Sequence, residues 1–266
     1  MGDYTPTVFL NMKHIHYTFA FFLLIFISCS TDNDIDEEQV ADFDRGAVME
    51  NYANNIIIPR YNDFKLSLDN LKSSIDSYVA NPTFSTHDEA HNMWLESYKK
   101  WQYVEMFNIG KAEEIMFFNS INTYPVNQDR INDNIDNGNY TLSNPNEWSC
   151  QGFPGLDYLL HGIGEDIIEI NGLFKQQNKY GTYIKVVVSK MIENTNLVLE
   201  NWTTYKSDFI SSTDNTATSD FNMLTNDFVY YFEKGLRTNK VGIPAGVFSN
   251  IPLDIKKNTF APKRPD

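Results

Sequence analysis

The chain has 266 residues, with 35 Asp and Glu against 21 Lys and Arg, and a formal net charge of −14 at pH 7. That balance supplies no basic stripe to neutralise phosphates and argues against a nucleic-acid partner. Two cysteines, Cys29 and Cys150, are too few for a disulfide framework, so a hydrophobic core has to hold the fold.

The N-terminus reads as a targeting segment. Lys13, His14 and His16 make a weakly basic start, and Phe19 to Ile27 is an almost unbroken apolar run of signal-peptide length. Phe26-Ile27-Ser28-Cys29 then resembles a bacterial lipobox, in which Cys29 is lipidated and becomes the first mature residue. The alternative is an ordinary cysteine beside a signal-peptidase site. Residues 1–28 are thus expected to be a signal peptide, with Met12-Lys13 a better start than Met1, so that residues 1–11 lie upstream of it. Residues 29–39 are expected to be a lipidated acidic tether. Ser30 suggests the outer membrane, and the acidic tract is either a surface-export signal or a solvated spacer. The expected place is the bacterial cell envelope, as an outer-membrane lipoprotein on the periplasmic face or the cell surface. Lipidation of Cys29 leaves Cys150 alone, without a disulfide partner in the chain.

The rest is helical in pattern. Phe64, Leu68, Leu71, Ile75 and Tyr78 fall four, three, four and three apart, one face of a long helix. It is expected to begin near Val40, to kink at Pro59 and to stop before Pro82. Ser85 is the expected cap of a second helix, whose inner face is Ala90, Trp94, Ser97, Trp101 and Val104 and whose end is Gly110. A short helix follows from Asn127 to Ile135, and then a long polar loop to Gln151. Ile184, Val187, Met191, Thr195, Val198, Trp202 and Tyr205 mark another long helix. Ser219 caps a last one, with Leu224, Phe228 and Tyr231, closing near Gly235. No stretch alternates over strand length. The expected fold is all-α, an antiparallel helical bundle.

Between the loop and the second long helix lies Gly152-Phe153-Pro154-Gly155-Leu156-Asp157-Tyr158-Leu159-Leu160-His161-Gly162. Gly152, Pro154 and Gly155 fix a turn, Asp157 falls in the first helical turn, and His161 with Gly162 closes the helix. This stretch resembles the signature of the imelysin family of bacterial envelope proteins, Gly-x-His-x-x-Glu before an apolar run. Pro154 stands where the His would be and Asp157 where the Glu would be, as in an imelysin-like lipoprotein branch with Gly-x-Pro-x-x-acid. Tyr124-Pro125 and Leu236 to Gly246 are also similar to family segments, and the resemblance covers residues 40–253. It implies an imelysin-like helical domain there, with residues 254–266 as a tail. Further helices normally complete a second bundle in this family. An incomplete C-terminal bundle, from a shortened member or a truncated gene, would leave apolar faces of the Ile184 and Leu224 helices partly uncovered, which predicts a homodimer or poor solubility.

Candidate chemistry is sparse. Past Cys29 the histidines are His87, His91 and His161. His87 and His91 are four apart and could face one metal ion. His87-Asp88-Glu89-Ala90-His91 superficially resembles His-Glu-x-x-His, but Asp88 stands in place of the Glu that activates water. The plainer reading is a solvated first helical turn. Asp157 and His161, also four apart, are a ligand pair or simply the stabilising charges of a helix start and end. The resemblance implies that an acidic residue at Glu105 faces the signature, making it a candidate partner of Asp157; the plain alternative is a surface Glu. Arg237 and Lys240 could hold an anion or pair with Asp157, or complement a helix end. No catalytic nucleophile constellation is visible.

The resemblance implies an envelope lipoprotein that binds a metal ion, iron or another divalent ion, or a small ligand in connection with iron uptake, without catalysis. Its partners would be the membrane, through Cys29, and envelope iron-uptake proteins. A metal-dependent peptidase, as the family name implies, and a structural or partner-binding lipoprotein are the alternatives.

Overall fold

The computed structural model describes residues 43–248. The expected signal peptide, Cys29, the tether and the tail lie outside the described residues. Asp44 caps the first helix, α1 (Arg45–Asn51), by accepting a hydrogen bond from the Ala47 amide at 2.9 Å. The helix therefore starts at Arg45, later than the expected Val40. A π-helix (Tyr52–Ile57) leads from α1 into α2 (Ile58–Ala80). Pro59, at the first turn of α2, offers no amide and crowds the carbonyl four residues back, and the wider π winding accommodates both effects without a break. Phe64, Leu68, Leu71, Ile75 and Tyr78 are all fully buried, as their spacing requires.

Helix α3 (Phe84–Trp101) returns after a three-residue link and packs along α2. Its cap is Thr83, not Ser85: Thr83 and Thr86 form a capping box, because Pro82 ends the extended link one residue before Thr83. The helix stops at Trp101 rather than Gly110. Gly110, at φ +58°, instead starts α4 (Lys111–Glu114), which α5 (Phe117–Asn122) follows. Helix α6 (Gln128–Asn137) runs from its cap Asn127 to left-handed Gly138. Part of the expected loop is a 3-10 helix (Pro145–Cys150), tied down by buried Glu147, which accepts from Arg130 and, at 2.8 Å, from Asn134. Helices α7 (Gly152–His161) and α8 (Ile167–Gln176) precede the longest one, α9 (Asn178–Ser211). Helix α8 is capped by Asp166, whose carboxylate accepts from Glu169 N–H at 2.8 Å.

Lys185 of α9 meets Asp76 near the end of α2, Lys206 meets Asn54, and Arg45 reaches the Thr213 carbonyl just past α9. Helix α9 thus runs antiparallel to α1 and α2, and α7 closes the bundle against α3 and α9. Rings of Tyr61, Phe64, Trp101, Phe117 and Phe153 interlock at its centre. Among the described residues there is no strand, and no helix is long and apolar enough to cross a membrane.

Ser219 caps α10 (Asp220–Tyr230) as expected, but the helix does not close at Gly235: it passes into a second π-helix (Tyr231–Gly242). Asp227 of α10 has a carboxylate oxygen buried without a partner. Burial first and the nearby Glu113 charge second push its carboxyl up to about 6. The folded chain therefore holds this proton more tightly than the unfolded one, and stability falls as pH rises from about 4 through 6. Asp227→Asn should raise stability at pH 7 by about 1–2 kcal/mol, discounted for partial exposure. Urea melts at pH 7 and near pH 3.5 test it, since the gain should vanish at the lower pH.

Candidate functional site

Helix α7 is set in place by close backbone packing. Gly152 has φ +68°, and a Cβ there would lie 2.2 Å from the Ile121 carbonyl oxygen. Only glycine fits, and it starts the helix two residues before Pro154. A Cβ on Gly155 would lie 3.1 Å from the Cys150 carbonyl oxygen. The buried Gln151 amide donates to the Leu142 carbonyl at 2.7 Å, and the Trp94 indole donates to the Phe153 carbonyl at 3.1 Å. With the helix begun at Gly152, Pro154 is its third residue, where its missing amide costs nothing. Asp157 is then a second-turn residue, not the first-turn charge expected of it. Its carboxylate is four residues from His161 and accepts from His161 Nδ1 at 2.8 Å.

The opposite wall is α3. His91 Nδ1 stands 2.9 Å from His161 Nε2, with the rings nearly perpendicular. The carboxylate can only accept, so His161 presents Nδ1–H to Asp157, and its Nε2 shares one proton with His91 Nδ1. Asp157, His161 and His91 therefore form one hydrogen-bonded chain across two helices. Trp94 stacks beside His91 and meets His161 edge-on, and Tyr98 stacks on Trp94 in turn. His91, Trp94 and Tyr98 share one face because they lie three and four apart on α3. His87 joins the group with its ring perpendicular to His161, at 5.5 Å between centroids. Its Nε2–H donates to the Leu160 carbonyl at 2.7 Å. Burial above all, and the neighbouring His161 and His91, lower its pKa to about 4, against the hydrogen bond to Leu160 and the Asp88 charge.

All three histidines of the described residues thus meet at one place. The arrangement differs from the spacing-based expectation in one respect: His87 is committed to Leu160, so His91 pairs with His161 and not with His87. The zinc-protease likeness of residues 87–91 fails on the same geometry, which corrects the reading of this turn as solvated: His87 is buried.

The remaining candidates are elsewhere. Glu105 is buried, and its carboxylate accepts from Tyr231 and Lys240 of the second π-helix. Burial alone would lower the Lys240 ammonium, but the bonds to Glu105 and Tyr231 hold it above its usual range. Glu105 lies in the turn just past the end of α3, fourteen residues beyond His91. Its expected pairing with Asp157 is therefore replaced by Lys240 and Tyr231, because the π-helix lies over this end of α3. Arg237 bonds Glu233 one turn back on the exposed surface and reaches neither carboxylate. An open groove of about 480 Å³ between Tyr140 and α9, lined by Lys185 and Lys190, contains no histidine.

An ion held by both imidazoles would replace the 2.9 Å hydrogen bond between them, with the shared proton moved off and the two nitrogens about 3.3 Å apart on a tetrahedral divalent ion. Asp157 behind His161 is the orienting carboxylate such a ligand ordinarily has. Among the described residues no three His, Cys, Asp or Glu side chains are already gathered for an ion. The residues fit a half-open, two-imidazole site and not a closed cage.

A model of the family described as imelysin matches residues 57–250. No curated protein matches the chain. An imelysin-like protein from Psychrobacter arcticum 273-4 has a similar structure, with TM-score 0.59 and 20% identity over 77% of this chain and 64% of its own. A protein of Parabacteroides distasonis ATCC 8503, provisionally named an iron-regulated protein A precursor, has TM-score 0.50 and 17% identity over 71% of this chain and 50% of its own. The chain spans less than two thirds of the length of either.

Proposed function

The chain belongs to the imelysin family, and from that premise we propose that it is a cell-envelope lipoprotein that captures a metal ion or small ligand, in the service of iron uptake, without catalysing a reaction. The observation that carries this reading is the convergence of His87, His91 and His161 with Asp157 between α3 and α7. His91 and His161 would hold the ion. Asp157 would orient His161, and His87 would act through the Leu160 carbonyl to fix the end of α7. A bound ion would supply open coordination positions for oxygen ligands or water. The link to iron draws support from the provisional name of the Parabacteroides protein alone, and the lipoprotein reading from the apolar run and Cys29.

Calorimetry with Fe²⁺ and Zn²⁺ tests the site. Near-stoichiometric binding is expected, abolished by His161→Ala. Asp157→Asn, which removes an orienting group and not a ligand, should weaken it about 10–100-fold. Glu105→Gln should leave it unchanged. Binding that survives His161→Ala sinks the assignment, and no binding to a folded protein leaves an organic ligand in place of the ion.

A further inference from the structure

Ile184 and Leu224 are buried, so the apolar faces expected to be partly uncovered are covered at those positions. The side of α9 that stays open is a different one, on which Thr182, Lys185, Val186, Ser189, Lys190 and Glu193 recur at helical spacing. Across from it stand Tyr140 and Leu142, in the polar loop before the 3-10 helix. Between the two lies the groove of about 480 Å³, a size ordinary for a small-molecule site.

The loop wall of this groove is preformed. The buried Gln151 amide holds the Leu142 carbonyl at 2.7 Å, and the Tyr140 ring packs edge-on against buried Tyr183, centroids 4.9 Å apart. Tyr183 is fixed in turn by its hydroxyl, which donates to the Cys150 carbonyl at 2.9 Å. A ligand therefore meets an apolar lining of Tyr140, Leu142 and Val186 without first having to order a loop.

The charge of the groove runs against that of the chain. The protein carries −14 overall, yet the charged residues lining the groove are two lysines and one glutamate. Lys190 has only 14% of its side chain exposed, little for a lysine, and its ammonium bonds the Glu193 carboxylate at 2.8 Å. Lys185 bonds Asp76 at 3.1 Å, and Lys72 holds the same carboxylate at 2.6 Å. Both groove lysines can turn to an incoming carboxylate at little cost. Asp76 keeps Lys72, Glu193 is 58% exposed and passes to water, and an exposed pair of this kind is worth about 1 kcal/mol or less.

We propose that this groove binds a small organic dicarboxylate, whose two carboxylates meet Lys185 and Lys190 and whose apolar body covers Tyr140, Leu142 and Val186. The lysines are five residues apart on α9, about 7.5 Å along its axis, which suits two carboxylates joined by a short aliphatic chain or one ring. An inorganic anion would leave the apolar lining wet, and a neutral apolar molecule would leave the lysines unused. The inference is independent of the histidine pair, which lies between α3 and α7 and shares no residue with the groove.

An NMR titration of the protein with adipate and terephthalate is the test, with hexanoate and sulfate beside them. Hexanoate keeps the apolar body and loses one carboxylate, and sulfate keeps the charge and loses the body. The expected result is a dissociation constant of about 1 mM or tighter for at least one dicarboxylate, with hexanoate and sulfate clearly weaker. Lys185→Met and Lys190→Met should each weaken that binding about tenfold, the worth of one charge-assisted hydrogen bond, at unchanged helix content by circular dichroism. Lys179→Met, which removes an exposed lysine of α9 outside the groove, should have no effect. The absence of saturable binding by either dicarboxylate overturns the proposal. So does sulfate binding as tightly as the dicarboxylates, or dicarboxylate binding that survives both groove substitutions or is weakened equally by Lys179→Met.

Discussion

Gly152→Ala is expected to cost about 4 kcal/mol or more, enough to unfold much of the protein. Two effects add. A non-glycine residue held at φ +68° loses about 1–2 kcal/mol through its own backbone. The new methyl would also stand 2.2 Å from the Ile121 carbonyl oxygen and 2.6 Å from its carbon. These are backbone atoms, which cannot turn aside as a side-chain tip can, so α7 must move away from α5. Gly138 provides the internal control, since its φ is +65° with nothing within 4 Å of a Cβ. Gly138→Ala should cost only about 1 kcal/mol. Chemical denaturation of the two variants separates the steric part from the conformational part. Equal losses would mean that the approach of α7 to Ile121 is not tight. Because α7 carries Asp157 and His161, Gly152→Ala should also impair any ligand binding at the histidine cluster.

Acid sensitivity should be the second large effect. His87 is neutral in the folded protein until about pH 4, whereas in the unfolded chain it takes up a proton near its ordinary 6.5. Above pH 6.5 neither state binds the proton and the contribution is flat. As pH falls from 6.5 to 4 only the unfolded state gains it, and stability drops by about 3 kcal/mol in total. Below about 4 the loss levels off. His87→Gln keeps a donor for the Leu160 carbonyl but does not titrate. Its unfolding free energy between pH 7 and 4 should follow a shallower slope than that of the parent chain. Parallel slopes for the two proteins would show that His87 is not the group responsible.

Glu105, fastened by Lys240 and Tyr231, and Asp157, bonded to His161, belong to two separate groups. Asp157 takes its partner, His161, from its own helix, four residues on, and His161 takes its second partner, His91, from α3. Glu105 takes both of its partners from a helix more than a hundred residues later. The Asp157–His161 pair follows from its four-residue spacing, but the pairings of His161 with His91 and of Glu105 with Tyr231 and Lys240 do not. Nine residues separate Tyr231 from Lys240, and on the assumption of α-helical winding they would point apart. The π-helix was not legible because it is set by what covers the end of α3 and not by local propensity.

Much was determined by the sequence by itself. The three–four spacing of Phe64 to Tyr78 and of Ile184 to Trp202 compels amphipathic helices whose apolar faces must meet, which yields an all-α bundle. Asn127 and Ser219 announce helix starts because their side chains serve the orphan amides locally. The glycines and proline around residue 154 mark a turn for the same local reason. Boundaries that depend on neighbours were not decided there: Thr83 rather than Ser85, Gly152 rather than Pro154, and the passage through Gly235. The tertiary structure alone decided that His91 faces His161. Their separation of seventy residues carries no periodicity, and only the packing of α3 against α7 turns two ordinary helical positions into one pair. Local hydrogen bonds and spacing fix which residues are helical and which face is buried, whereas the partner of a polar side chain across the core depends on how the helices cross.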